Sequence, residues 1–163
     1  MNAWMEVLMW LLTMWMGFAI GAGIYETRVV LPLWAGSPPD SLVRWHSAPF
    51  RIDPGLRFWI FCTPGLGLLS AIVLGLFFSM SGRPAMLVRI GSGLSLALVV
   101  WALVWFVPNF RAVTGPKFQE MNPDQAARTA RLWRRLNLLR ATLFLAAWVC
   151  MTAGAVTMER ALR

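Results

Sequence analysis

The hydrophobic positions of this chain fall into four long runs separated by polar connections. The runs cover residues 7–24, 58–80, 90–107 and 141–158, and none of them contains Asp, Glu, Lys or Arg. A bilayer whose hydrocarbon core is about 30 Å thick is crossed by roughly 20 apolar residues in a helix. The pattern therefore predicts an all-α fold: an integral membrane bundle of four transmembrane helices forming a single domain, residues 1–163. The expected spans are residues 4–25, 58–80, 88–107 and 138–158.

Helix-start signals divide the connections between the runs. The sequence SPPD at residues 37–40 predicts a short interfacial helix near residues 38–46, in the first long connection. Asp53 is the expected N-cap of the second span, and Pro54 is its expected first residue.

Two helices are expected to continue beyond the bilayer. No Gly or Pro lies between Pro123 and Gly154, which predicts a helix of about 35 residues and some 50 Å in length. The first helix has no breaker before Pro32. Gly17 and Gly21 within it have the spacing that lets two membrane helices approach closely.

Basic residues outnumber acidic ones, with 15 Lys and Arg against 7 Asp and Glu. In a membrane protein such an excess sets topology and contacts anionic lipid headgroups, so membrane lipids are expected partners and nucleic acid is not. Four of the 15 lie on the side of the termini and 11 on the side of the long connections. This asymmetry predicts a multi-pass protein of the cell membrane with cytoplasmic long connections and external termini. The leader MNAWMEV lacks Lys and Arg, so the first run is expected to be a retained span.

The sequence carries no motif for haem, nucleotide or metal, and the cofactor is left unassigned. His46 is the only histidine, which excludes bis-histidine haem ligation and argues against a histidine-rich metal site. Cys62 and Cys150 fall inside spans and are expected to be small apolar core residues. The methionines of the first span, with no Cys or His nearby, are expected to fill apolar space rather than bind copper.

Polar and aromatic side chains gather where the four spans meet the long connections. In the fourth helix Trp133, Asn137 and Arg140 recur at i, i+4 and i+7, so they share one stripe. The candidate catalytic residues at this face are Glu26, His46, Asn137 and Arg140, and the candidate ligand-binding residues are Tyr25, Arg28, Trp105, Asn109 and Trp133.

Arg140 stands immediately before the uncharged run of residues 141–158. An arginine at the bilayer centre costs roughly 2.5–3.5 kcal/mol, and less near the surface, so Arg140 is expected to face the bundle and find a carboxylate. Glu26 is the expected partner, and a Glu26–Arg28 pair is the second choice. The remaining candidates belong to connections or helix caps: Asp40, Asp53, Glu120 and Asp124.

Two interpretations of this cluster stay open. It can be an ion-pair clasp that fixes helix register, since arginines and tryptophans commonly anchor span ends. It can instead be a pocket in which Arg and Asn hold a carbonyl or anionic oxygen while aromatic residues flank a flat apolar ligand. A carboxylate–arginine pair near a histidine has the parts for proton abstraction and oxyanion stabilisation.

The motifs follow a recognisable order: a first span ending in GAGIYETRVVLPLW, a Pro-rich connection, a third span ending in WFVPNF, and a fourth opening with WRRLNLLR. This order resembles the anthrone-oxygenase-like family of small four-span membrane proteins. The resemblance implies oxygenation of an aromatic polyketide without a classical cofactor. In that reaction His46 or Glu26 would act as the base, and Asn137 and Arg140 would hold the oxyanion.

Two functions are therefore predicted as alternatives. The first is a polar site at one membrane face that binds or oxygenates a lipophilic aromatic or quinone-like molecule. The second is a non-catalytic accessory subunit that packs against protein partners in a larger membrane complex. A cavity at the Glu26–Arg140 cluster favours the first function, and a region filled with side chains favours the second.

Overall fold

Helices make up nearly all of the described chain. The computed structural model describes residues 2–47 and 54–162, and no strand occurs within these ranges. The helices are α1 (Ala3–Ala35), α2 (Asp40–Ser47), α3 (Pro54–Phe77), α4 (Arg83–Thr114) and α5 (Pro123–Leu162), with a 3-10 turn at Pro116–Glu120. Four of these, α1, α3, α4 and α5, are long and apolar enough to cross a membrane. The predicted all-α membrane bundle is confirmed.

The helix boundaries extend several of the predicted spans. α2 is the short helix expected in the first long connection, and α3 begins at Pro54 as expected, whereas Asp53 lies outside the described residues. α5 contains 40 residues, which is about 60 Å of helix and longer than the bilayer requires. α4 continues to Thr114 instead of ending near residue 107. The helix therefore passes through Pro108 and extends beyond the predicted third span.

A π-helical segment lets α1 continue past its proline. Residues Glu26–Val30 form this segment, two residues before Pro32, and the amide of Leu31 donates to the carbonyl of Glu26 five residues back. A proline has no N–H to donate and its ring collides with the carbonyl four residues earlier, here that of Arg28. The wider π turn relieves this conflict without ending the helix.

The same arrangement recurs in α4. Its π-helical segment, Ala102–Phe106, also ends two residues before a proline, Pro108, and the amide of Val107 donates to the carbonyl of Ala102. π turns inside α-helices are frequent at functional sites. Here one residue of each segment, Glu26 and Ala102, lines the same small chamber.

The interior is divided into two packed cores. The bundle core lies towards the termini and is built around residues such as Met9, Val73, Phe77, Val88 and Met151. The cap core lies at the opposite end, where α2 and the extensions of α1, α4 and α5 meet, and it includes Trp34, Leu42, Phe106, Val113 and Trp133. The candidate site occupies the level between these two cores.

Of the two predicted glycines, Gly17 packs against another span, since an added Cβ would lie 3.4 Å from Trp148 Nε1 of α5, but the tightest contacts involve other glycines. A Cβ added at Gly91 of α4 would lie 2.7 Å from Met151 Cγ and 2.8 Å from the Ala147 carbonyl oxygen of α5. A Cβ at Gly21 would meet nothing within 4 Å, so its predicted role in tight packing was wrong. The apolar character of α1 on all sides concealed which face packs. Contacts that need a glycine join α4 to α5 at Gly91 and Gly154, and α3 to α1 at Gly65, where an added Cβ would lie 2.8 Å from the Trp15 ring.

Candidate functional site

A cavity of about 440 Å³ opens between α1, α3, α4 and α5. α1 contributes the stripe that contains Ile20, Gly23, Ile24 and Thr27, and most of the remaining wall is aliphatic. A volume of this size lies within the range of about 300–1,000 Å³ that is typical of small-molecule sites. The region is therefore not filled by side chains.

Asn137 organises the polar end of this cavity. Its side chain is only 2% exposed; its Nδ2 donates to Thr27 Oγ1 at 3.2 Å, and its Oδ1 accepts a hydrogen bond from Arg140 Nη2 at 2.8 Å. Thr27 Oγ1 in turn donates to the Gly23 carbonyl at 2.8 Å. This chain of hydrogen bonds joins α1 to α5 and fixes the position of the guanidinium group.

Arg140 is surrounded by aromatic rings and faces a carboxylate. Its Cζ lies 4.5 Å from the centre of the Phe106 ring and 5.7 Å from that of Trp59. The charge of Glu26 acts on it from α1. Ring faces carry negative potential and attract a guanidinium, most strongly where water is excluded. Glu26 and Arg140, the two side chains predicted to pair, therefore lie near each other at this level of the bundle.

A smaller chamber of about 60 Å³ lies on the other side of Arg140. Glu26, Trp59, Phe106 and Trp133 line it together with Arg140, and Trp59 Nε1 donates to Glu26 Oε2 at 3.1 Å. Since a water molecule takes about 30 Å³ in the liquid, the chamber has room for roughly two waters. Arg140 thus separates a large apolar cavity from a small one that contains the carboxylate.

Two further predicted residues lie at this site. Arg28 lines the larger cavity and is exposed. Trp133 lines the smaller chamber, where it is 3% exposed and donates from Nε1 to the Phe106 carbonyl at 3.3 Å. Its ring packs edge-on against Trp34, with the ring centres 5.0 Å apart. Trp133 is therefore part of the cap core as well as of the chamber wall.

The structure does not bring four of the predicted residues to either cavity. The Nε2–H of His46 donates to the Val113 carbonyl at 3.0 Å, and its ring stacks on Phe118 at 4.0 Å within the cap. The predicted ligand-binding residues Tyr25, Trp105 and Asn109 likewise are not among the cavity-lining residues that the structure describes.

The reasons differ for these three residues. Tyr25 is 59% exposed on the outer face of α1. Asn109 donates to the Trp105 carbonyl of its own helix at 2.7 Å. Trp105 packs against the cap core.

Sequence reasoning missed Trp59 and Phe106, which complete the aromatic surroundings of Arg140. At the start of the second span Arg57 is exposed, whereas Trp59, two residues later, donates a hydrogen bond to Glu26. The available signal was a tryptophan near the start of the second span, at the same membrane face as Glu26. Thr27 was visible beside Glu26, although nothing in the sequence indicated its bond to Asn137.

Comparison of the chain with protein-family models, with curated protein sequences and with solved structures finds no match. Within residues 2–47 and 54–162, no group of three His, Cys, Asp or Glu side chains is arranged to hold a metal ion. The polar groups that lie together at the site are Arg140, Asn137, Thr27 and Glu26. These groups can hold an oxygen atom and exchange a proton near it.

Proposed function

We propose that the protein binds a lipophilic small molecule with an oxygen-bearing polar group in the cavity of about 440 Å³ between α1 and α5. The observation that carries this proposal is the wall of the cavity, which is aliphatic along its length and ends on Arg140 held by Asn137. Ligand sites typically combine an apolar wall with a few fixed polar groups. The alternative function, an accessory subunit without a ligand, does not explain why the cavity beside Arg140 is open.

The ligand enters from the bilayer. Ile24 of α1 and Leu138 and Leu145 of α5 line the cavity and are also 60%, 64% and 47% exposed. These side chains belong to helices that are apolar enough to cross a membrane, so their exposed surface faces lipid. The cleft between α1 and α5 is therefore open sideways to a molecule dissolved in the membrane.

The polar group of the ligand is held at Arg140. A guanidinium has five N–H donors, and Asn137 takes one of them at 2.8 Å. Arginine binds carbonyl and anionic oxygens well because its donors are planar and fixed. Trp59 and Phe144 also line the cavity, so an aromatic or quinone-like molecule belongs to the class of ligands that fits.

A narrower proposal follows from the resemblance to anthrone oxygenases. In that reaction a water molecule in the smaller chamber passes the proton of the ligand to Glu26, and Arg140 stabilises the resulting enolate oxygen. His46 has no part in it, because its ring is bonded to Val113 and stacked on Phe118. Incubation of the purified protein with an anthrone and oxygen, with Glu26→Gln as the comparison, tests this activity.

The orientation in the membrane is part of the proposal. The connections on the Arg140 side carry 11 of the 15 basic residues, which supports a cytoplasmic position for this end and external termini. Reporter fusions at the N-terminus and after Lys117 test the orientation. A cytoplasmic reporter that is active at the N-terminus would contradict it.

Mass spectrometry of molecules that co-purify with the protein in a mild neutral detergent tests the binding proposal. Gly23→Leu should fill the cavity, because Gly23 lines it and a Cβ there meets nothing within 4 Å. Gly21→Leu is the matched control, since Gly21 is exposed and is not among the lining residues. We expect a lipophile that is retained by the wild type and by Gly21→Leu and lost from Gly23→Leu. Identical profiles for all three proteins would contradict the proposal.

A further inference from the structure

The charge of the larger cavity is unbalanced. Among its described lining residues are two arginines, Arg28 and Arg140, and no Asp or Glu. The nearby carboxylate of Glu26 lines the smaller chamber, where it is bonded to Trp59. The side of the site that a ligand reaches is therefore positively charged.

The two arginines have different surroundings. Arg140 is partly buried, is fixed by Asn137 and has its charge offset by Glu26 from behind. Arg28 is exposed and follows Thr27, the residue that accepts the hydrogen bond from Asn137. Its position thus puts an additional positive charge at the mouth of the cavity, beside the polar end.

We propose that the ligand is an anionic amphiphile, with a carboxylate or phosphate head between Arg28 and Arg140 and one apolar chain along the cleft between α1 and α5. This inference rests on the proposed binding function and names the chemical class of the ligand. An anion meets complementary charge on entry, and the low dielectric constant of the surroundings strengthens the attraction. The aliphatic wall formed by Ile20, Leu66, Val99 and Leu145 suits a flexible chain.

Such a head occurs both in single-chain acids and in anionic phospholipids. A phospholipid would insert one chain into the cleft and leave the other in the bilayer, through the opening beside Ile24 and Leu138. Both kinds of ligand would place one negative group at the two arginines and one apolar chain in the cavity.

A scintillation proximity assay with radiolabelled dodecanoate tests the inference on the full-length protein in neutral detergent, at a mildly alkaline pH that keeps the acid ionised. Unlabelled dodecanoate, its methyl ester and phosphatidylglycerol are the competitors. We expect dodecanoate to compete and the methyl ester to compete at least about fivefold more weakly, because the ester keeps the chain and loses the charge. Phosphatidylglycerol that competes as well as dodecanoate assigns the site to a lipid headgroup, and one that does not compete assigns it to a single-chain acid. Both results support the anionic class.

Substitution of Arg28 distinguishes the contribution of its charge to binding from the contribution of the apolar cavity. Arg28→Gln should weaken dodecanoate binding by about fivefold and methyl ester binding by clearly less, since only the acid loses a charge pair. Arg111→Gln is the control, because Arg111 is exposed and is not among the residues that line the cavities. Equal binding of acid and ester, unaffected by Arg28→Gln, would overturn the anionic class and leave the binding function standing. No saturable binding of either probe would overturn both.

Discussion

The indole of Trp59 donates a hydrogen bond of 3.1 Å to the carboxylate of Glu26, linking α3 to the π-helical segment of α1. The same ring lies 5.7 Å from Arg140 Cζ. Trp59 therefore contacts both charged groups of the site, Glu26 through its N–H and Arg140 through its ring. A carboxylate inside a membrane bundle needs such donors, because water does not supply them freely.

Removal of the indole N–H should destabilise the bundle. Trp59→Phe keeps an aromatic ring beside Arg140 but leaves Glu26 short of one donor, so we expect a loss of about 1–3 kcal/mol in the free energy of unfolding. Titration of the protein in mixed micelles with a denaturing detergent measures this free energy of unfolding. Trp105→Phe is the control, since Trp105 contacts Phe106 through its ring at 4.9 Å and is not a cavity-lining residue. Equal losses of unfolding free energy for the two substitutions would show that the hydrogen bond from Trp59 to Glu26 does not stabilise the protein.

Asn137 should matter far more than Asn109. Asn137→Ala removes the acceptor of Arg140 and the donor to Thr27, which join two helices, so a loss of about 1–3 kcal/mol is expected. Asn109→Ala removes a bond within one helix, to the Trp105 carbonyl, and a smaller loss is expected. The same unfolding experiment compares them. A greater loss of unfolding free energy for Asn109→Ala would contradict the stabilising role given to the hydrogen bonds between α1 and α5.

The spans were predictable because the energy of burying polar groups in lipid is large and depends on composition alone. The placement of Glu26 and Arg140 at one chamber was predictable for a similar reason: a charge near the hydrocarbon needs an opposite charge, and the chain offers few carboxylates. Such arguments require only the sequence position of a residue and its approximate depth.

The rotation of each helix about its axis was not predictable. A helix that is apolar on all sides gives no signal for the face that packs, so Trp59 was missed on α3 and Gly21 was misjudged on α1. The π segments before Pro32 and Pro108 add to the difficulty, because each changes the direction of every side chain that follows. Trp105 and Asn109, placed by extrapolation along α4, therefore do not reach the cavities.

The close approach of α4 and α5 gives a stability prediction that is independent of the site. Gly91→Ala should cost about 1–3 kcal/mol, since the new Cβ would lie 2.8 Å from the Ala147 carbonyl oxygen and 2.9 Å from the Met151 amide nitrogen. Gly75→Ala on α3 is the control, because a Cβ there meets nothing within 4 Å. The thermal unfolding temperature in detergent measures the difference. Equal temperatures for the two variants would contradict the packing described between α4 and α5.

The partner of Glu26 can be tested energetically. A double-mutant cycle with Glu26→Gln and Arg140→Met should give a coupling free energy of about 0.5–3 kcal/mol, because the groups interact within the bundle. The parallel cycle with Arg28→Met should give less than about 0.5 kcal/mol, since Arg28 is exposed at the mouth of the cavity. Stronger coupling to Arg28 would mean that the second choice, and not Arg140, is the partner of Glu26.

Photolabelling measures most directly whether a lipophile occupies the cleft between α1 and α5. The purified protein would be irradiated with a diazirine-bearing fatty acid or with its methyl ester, and the labelled residues identified by mass spectrometry. We expect labels at Ile24, Leu138 and Leu145, and we expect unlabelled dodecanoate to suppress those made by the acid. Labels confined to exposed residues away from the cleft, such as Phe61 and Phe78, and insensitive to competitor with both probes, would contradict ligand binding in this cavity.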